Sequence, residues 1–148
     1  MAEYPKLNFP AVVLPQYERD GKTVVPDRVR GGYLVLTPEE WVRRHVIEYL
    51  VNWGGVELQR VVTEYPVALN GQPQRADIVV VDSEGRAQML VECKAVDVKI
   101  TQEVLDQAVR YNSVVGARYL MLTNGIKIFC LESCGGGQYR KLDAIPRL

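Results

Sequence analysis

The sequence predicts an α/β fold with elements in the order αβββαβ, a further strand after them, and an extra β segment at the N-terminus. Two observations carry this. Apolar residues recur at helical spacing through Val42, Val46, Tyr49, Leu50 and Trp53, and again through Val104, Leu105, Ala108, Val109 and Val115. Between and after these stripes lie β-branched apolar runs bounded by turn residues, at 61–69, 77–81, 89–91, 118–123 and 126–131. A chain of 148 residues that is 47% hydrophobic and 24% charged is ordinary for a globular protein with one core. Its 18 basic and 18 acidic residues cancel, which argues against a non-specific DNA coat but not against a local basic groove. No apolar run reaches membrane-helix length, and no signal-peptide pattern opens the chain. Cys93, Cys130 and Cys134 are odd in number and lack zinc-site spacing, so a reduced, cytoplasmic protein is expected.

Residues 1–36 form a proline- and turn-rich prelude, expected to pack on residues 37–148 within a single domain. Segments 11–14 and 33–36 are predicted strands, and 18–22 a turn. Asp27 and Arg30 are expected to form a local salt link.

A helix opens at Thr37-Pro38-Glu39-Glu40. Thr37 is a good N-cap, Pro38 suits the first turn, and Glu40 completes a capping box. At about 100° per residue, Glu39 falls in the centre of the apolar stripe and Glu40 well off it. Glu39 is thus the odd residue, a carboxylate heading an apolar face, where it complements the positive helix N-terminus unless the resemblance described below gives it a further role. Arg43 and Arg44 are expected to be solvated charges, with phosphate contact as the alternative. His45, the only histidine, lies at the edge of the stripe and reads as structural, which argues against histidine chemistry. Gly54-Gly55 ends the helix. The strand at 61–69 is closed by an Asn70-Gly71 turn, and Glu64 interrupts it, as an exposed edge position or as a carboxylate behind a site.

The stretch 75–95, RADIVVVDSEGRAQMLVECKA, is the centre of the chain. Its two runs read as a hairpin apolar on both faces, hence mid-sheet. Yet Asp77, Glu92 and Lys94 are embedded in it, and buried charges are costly unless paired or bound to metal. Glu92 and Lys94 share a face, with Cys93 pointing the other way. With residues 83–86 as the loop and Asp82 opposite Ala87, Asp77 falls opposite Glu92 on the same face, with Cβ atoms roughly 4.5–5.5 Å apart. Two carboxylates so close repel unless a cation lies between them. Mg²⁺ or Mn²⁺ suits such oxygens, and Lys94 is a third polar group aimed at the same point. A one-residue slip would turn Asp77 to the wrong face.

Thr101-Gln102-Glu103 opens the second helix, with Thr101 as N-cap. Gln107 and Tyr111, four apart, stack on one side of it. Residues 118–123 and 126–131 are strands joined by an Asn124-Gly125 turn. Gly135-Gly136-Gly137 is a loop with no helix after it, so it is no phosphate cradle. The tail to Leu148 reads as peripheral.

Asp77 followed by Glu92-Cys93-Lys94 resembles the D…(D/E)-x-K arrangement of PD-(D/E)xK nucleases, with Ala76 in place of the usual proline. Thr-Pro-Glu-Glu-Trp, Arg-Ala-Asp-Ile-Val-Val, Val-Glu-Cys-Lys-Ala, Asp-Gln-Ala-Val-Arg-Tyr-Asn and Leu-Thr-Asn-Gly, in that order, look like the N-terminal nuclease domain of type I restriction enzyme R subunits. The resemblance covers residues 37 to about 131. It implies a restriction-endonuclease-like core, a mixed β-sheet flanked by α-helices. It implies a metal-dependent DNA endonuclease in which Asp77, Glu92 and the Cys93 carbonyl hold Mg²⁺ or Mn²⁺. Lys94 would orient or deprotonate the attacking water, and Glu39 would be a further residue at the metal. Gln107 and Tyr111, matching the Gln-x-x-x-Tyr of the RecB-like and type I branches, would position the substrate or the site. DNA is the implied partner, alone, as a homodimer, or with separate motor or modification subunits, and no membrane is involved. R subunits continue into ATP-driven motors and no Walker-A sequence is present here, so a stand-alone relative is expected. The alternative is a catalytically silent nucleic-acid- or protein-binding module that keeps the fold.

Overall fold

The computed structural model describes residues 4–148, and residues 1–3 of the prelude lie outside them. A three-stranded antiparallel sheet, β1 (Tyr17–Arg19), β2 (Lys22–Pro26) and β3 (Tyr33–Val35), comes first. Helix α1 (Pro38–Asn52) follows, then β4 (Val61–Leu69), β5 (Gln72–Val81), β6 (Ala87–Cys93), helix α2 (Gln102–Val115), β7 (Tyr119–Thr123), β8 (Ile128–Gly135) and β9 (Gln138–Leu142). Strands β4 to β9 form one six-stranded sheet in sequence order. Only the β6–β7 pair is parallel, because α2 crosses over between them. This is the mixed α/β sheet that the sequence predicts.

The helices cover opposite faces. Val42, Val46 and Leu50 of α1 pack with Ile78, Val80, Met89, Val91 and Met121. Ala108 and Tyr111 of α2 pack with Val79, Leu90, Leu120 and Leu122. Alternation along β5 and β6 sends successive side chains to the two clusters, which is why these strands are apolar throughout.

The prelude differs from expectation. Residues 11–14 are not a strand, while the predicted strand at 33–36 is present as β3, and β1–β2–β3 forms a sheet of its own. The segment lies over the outer side of α1. Tyr4 stacks on Trp41 at 5.2 Å, the Trp41 indole N–H donates to the Pro5 carbonyl (2.9 Å), and Phe9 meets Tyr49 edge-on. Asn8 N–H donates to the Gly125 carbonyl at 2.7 Å, and a Cβ on Gly125 would come within 2.6 Å of Leu7.

This cover on one side and the main sheet on the other explain a correction. Arg43 and Arg44 are 7% and 5% exposed, not solvated. Arg44 pairs with Asp27 and Glu40, both at 3.2 Å. Asp27 therefore engages Arg44, and accepts the Val29 and Arg30 backbone N–H groups, instead of forming a salt link to the Arg30 side chain. The capping box is half formed: Thr37 Oγ1 accepts the Glu40 N–H (3.1 Å), while the Glu40 carboxylate turns to the arginines. His45 is buried, holds the Trp41 carbonyl at 2.7 Å, and has its pKa lowered by burial. Trp53 ends the helix as its C-cap and is 45% exposed, off the core-facing stripe.

The C-terminal residues are structural rather than peripheral. Gly135-Gly136-Gly137 lies at the turn between β8 and β9, β9 is the sheet's edge strand, and Leu142, Ile145 and Leu148 pack on the first core cluster.

The β5–β6 hairpin carries an irregularity that sets the register of everything beyond it. Val81 pairs with Ala87 but Val80 pairs with Met89, so Gln88 is an extra residue on β6. Asp82 closes the turn by accepting N–H groups of Glu84 and Arg86, rather than standing opposite Ala87. Arg60 fixes the bulge: its Nε donates to the Val81 carbonyl (2.8 Å) and its guanidinium holds the Gln88 side chain. Past the bulge, Val79 pairs with Leu90 and Ile78 with Val91.

Candidate active site

The β5–β6 ladder stops at Ile78–Val91, so the next residues facing each other are Asp77 and Glu92. The strands part there, and side chains fill the gap. The Cys93 N–H donates to Asp77 Oδ2 at 2.7 Å, and the Asp77 N–H donates to Glu92 Oε1 at 3.3 Å. Each carboxylate is thus pinned by one oxygen to the opposite strand. Asp77 leans toward α1, where Arg43 Nη2 lies 3.6 Å from its Oδ1. Glu92 and Lys94 line a cleft of about 170 Å³ with Thr101, Glu103, Val104 and Gln107 of the α2 end. The Lys94 N–H bonds to the Thr123 carbonyl at 2.9 Å, which anchors the lysine on the parallel β6–β7 joint.

Glu39 heads α1 on the other side of Asp77. It is 3.8 Å from Arg43, and its carboxyl is raised by partial burial and by the nearby charge of Asp77, against the pull of Arg43 and Lys94. Glu40 is held by Arg43 and Arg44. Gln107 donates to the Tyr111 hydroxyl at 2.6 Å, and that hydroxyl donates to Gln74 on β5 at 3.3 Å. The seven positions singled out from sequence thus surround one break in the sheet, approached from α1 on one side and α2 on the other. Two participants were missed, and a third, Glu64, reads in the sequence as an exposed edge position ahead of a carboxylate behind a site. Arg43 was missed because its burial depends on distant chain, and Gln74 because nothing local marks it. Glu64, bonded to Arg43 (Arg43 Nη1 on Glu64 Oε1), had only its charge in mid-strand as a signal.

Burial raises the pKa of Asp77, with the Cys93 N–H and Arg43 pulling it back. Burial and the adjacent Asp77 charge push Glu92 up to about 8. A carboxyl raised in the folded state binds a proton that the unfolded chain has already released. The contribution of Glu92 to folding stability is then fully present below the unfolded value of 4.5 and is lost as pH rises through about 8. In EDTA the melting temperature is expected to fall from pH 5 to pH 8.5, and Glu92→Gln to flatten the decline. A wild-type profile already flat over that window would contradict the burial argument.

The donor set fits a hard divalent cation. Glu92 is buried and the Asp77 side chain is 14% exposed; both carboxylates have spare oxygen lone pairs, and the Cys93 carbonyl leaves β6 on the same side as the N–H that Asp77 holds. Among the described residues no three Asp, Glu, His or Cys side chains converge into a cation site by themselves, so a backbone carbonyl or water must complete the set.

A sheet parted between an Asp strand and a Glu-x-Lys strand, with helices on both faces, defines a restriction-endonuclease-like domain. The chain belongs to the family described as type I restriction enzyme R protein N terminus (HSDR_N), which matches residues 38–146. Among solved structures it is similar to a fragment described as an HsdR subunit of a type I restriction enzyme from Vibrio vulnificus YJ016. Identity is 21% and the TM-score 0.57, covering 75% of this chain and 24% of that one, so the chain spans about a quarter of that relative. A DUF820 protein from Anabaena variabilis ATCC 29413, described as a nuclease, matches at 12% identity and TM-score 0.45, over 92% of this chain and 80% of that one. The type IIG restriction endonuclease BpuSI matches at 22% identity and TM-score 0.44, over 64% and 11%. No curated protein matches the sequence. Among the described residues, no helix is long and apolar enough to cross a membrane.

Proposed function

We propose that the chain is a Mg²⁺- or Mn²⁺-dependent nuclease that hydrolyses phosphodiester bonds of DNA. The observation that carries this reading is the facing pair Asp77 and Glu92, each pinned by the opposite backbone, with Lys94 beside Glu92 on one cleft. Asp77, Glu92 and the Cys93 carbonyl would hold the cation, with Glu39 within reach from α1. A divalent cation, when bound, polarises the phosphate and lowers the pKa of water. Lys94 orients the attacking water and stabilises the negative charge that develops on the phosphate oxygens. Gln107 and Tyr111, tied to Gln74, brace the cleft wall against which the substrate strand lies. Membership in the R-subunit family supports DNA as the substrate and an assembly with motor or modification subunits as the setting.

Cleavage of supercoiled, linear and single-stranded DNA, by wild type and Lys94→Ala side by side in Mg²⁺ and in EDTA, tests this. Cutting by the wild type in Mg²⁺ alone is the expected result. Equal cutting by Lys94→Ala, or cutting that survives EDTA, would place the chemistry elsewhere. DNA binding that persists in EDTA and in Lys94→Ala, without cutting, would favour a silent binding module.

A further inference from the structure

The row that holds Asp77 and Glu92 contains a third carboxylate. Thr63 pairs with Ile78 and Tyr65 with Ala76, so Glu64 stands opposite Asp77. Across β4, β5 and β6 the row reads Glu64, Asp77, Glu92. The Glu64 backbone is left-handed, with φ +53°. The other non-glycine residues with positive φ among those described, Asp20 and Asn70, lie in hairpin turns, where short polar side chains tolerate it. A glutamate in mid-strand has no such excuse, and the conformation costs about 1–3 kcal/mol. It breaks the ladder opposite Asp77 and lets the Glu64 carboxylate meet the Arg43 guanidinium.

Arg43 shows a second anomaly. Its side chain is 8% exposed and its Nε is buried without a partner, although three of the carboxylates around it lie within 4 Å of Nη2: Glu40 at 3.3 Å, Asp77 at 3.6 Å and Glu39 at 3.8 Å. An unpaired buried donor costs about 1–3 kcal/mol. Strain on one partner and an unmet donor on the other converge on a single contact, directly beside Asp77. An ion pair that only joined α1 to β4 could be made without either.

We propose that Glu64 and Arg43 are positioning residues for the Asp77–Glu92 cation site: Glu64 fixes the guanidinium, and the guanidinium fixes Asp77 Oδ1. The inference rests on the metal-site reading above. With Oδ2 held by the Cys93 N–H and Oδ1 facing the Arg43 guanidinium at 3.6 Å, rotation of the Asp77 carboxylate is opposed from both sides. Both oxygens keep lone pairs for a ligand, since a carboxylate offers about four such sites. Arg43 also offsets the crowding of Glu39, Glu40 and Glu64 around the same point.

The test is Mn²⁺ binding, followed by electron paramagnetic resonance and calorimetry on the full chain, with melting in EDTA measured in parallel. The variants are Glu64→Gly, Glu64→Gln and Arg43→Lys, with Asp77→Asn as reference. Glu64→Gly removes the backbone strain, yet it is expected to weaken Mn²⁺ binding about tenfold or more, the usual effect of losing a partner of a metal ligand. Glu64→Gln should weaken it similarly, and Arg43→Lys, which keeps charge but loses the fork, should fall between. Wild-type affinity in both Glu64 variants, with binding still abolished by Asp77→Asn, overturns the positioning role and leaves the site intact. Tighter binding in these variants also overturns it, by making Arg43 a competitor of the cation. No binding by wild type, or binding that survives Asp77→Asn, overturns the positioning role and the metal site together. If Glu64→Gly unfolds, Glu64→Gln decides, because it keeps the side-chain shape.

Discussion

Asp77→Asn is expected to lower Mg²⁺-dependent DNA cleavage about a thousandfold. A cation acting on the transition state is worth several kcal/mol, and each 1.4 kcal/mol or so is tenfold in rate. The amide keeps the volume and can still accept the Cys93 N–H, so the loss is not one of folding. It removes the charge that a cation requires and leaves Glu92 as the one carboxylate of the facing pair. The matching physical measurement is the melting temperature at pH 8 with and without Mg²⁺. Ligand-linked stabilisation should appear in the wild type and vanish in Asp77→Asn. Cleavage undiminished by the substitution, in protein free of contaminating nuclease, would remove Asp77 from the site.

Arg44→Met is expected to destabilise the fold by about 3 kcal/mol, the low end of what breaking a buried ion pair costs. The Arg44 and Asp27 side chains are each 5% exposed, and Glu40, the other partner, is 15% exposed. Methionine fills much of the space but strands Asp27 as a buried charge with only the Val29 and Arg30 N–H groups for company. Adding Asp27→Asn should therefore recover part of the loss, because it removes the stranded charge. Urea denaturation of the single and double variants measures both terms. By contrast, removing exposed Arg86, 74% exposed and paired with Asp82 and Glu84, should change stability by well under 1 kcal/mol. An Arg44→Met effect as small as that would mean the prelude does not seal α1 in solution.

The carboxylates at 77 and 92 were legible because a strand alternates with period two and charges inside apolar runs stand out. Their facing was reached with a hairpin drawn one residue wrong at its tip; the bulge at Gln88 makes up the difference, so the register at the site came out as drawn. Gln107 and Tyr111 were legible because residues four apart on a helix share a side. Arg43 and Arg44 were not, because their burial is imposed by Asp27 and Glu64, 17 and 21 residues away in sequence. Glu64 was noticed as a charge in a strand, but its left-handed backbone leaves no trace in composition. Strand β9 was missed because Gln138–Leu142, at the sheet edge, exposes most of its side chains and lacks an apolar alternation.

The extra residue at Gln88 also divides the hairpin into a part whose length is free to vary and a part whose length is not. Relatives could lengthen the loop at 83–86 at little thermodynamic cost, since it lies on the surface and far from the parted strands. Between Met89 and Lys94 no such freedom exists. Loss or gain of a single residue there exchanges the faces of the strand: the Cys93 thiol (on a loss) or the Val91 side chain (on a gain) would stand where Glu92 meets Asp77, and a carboxylate would be driven into the apolar layer beneath α1. Length variation in this hairpin should therefore be confined to its tip.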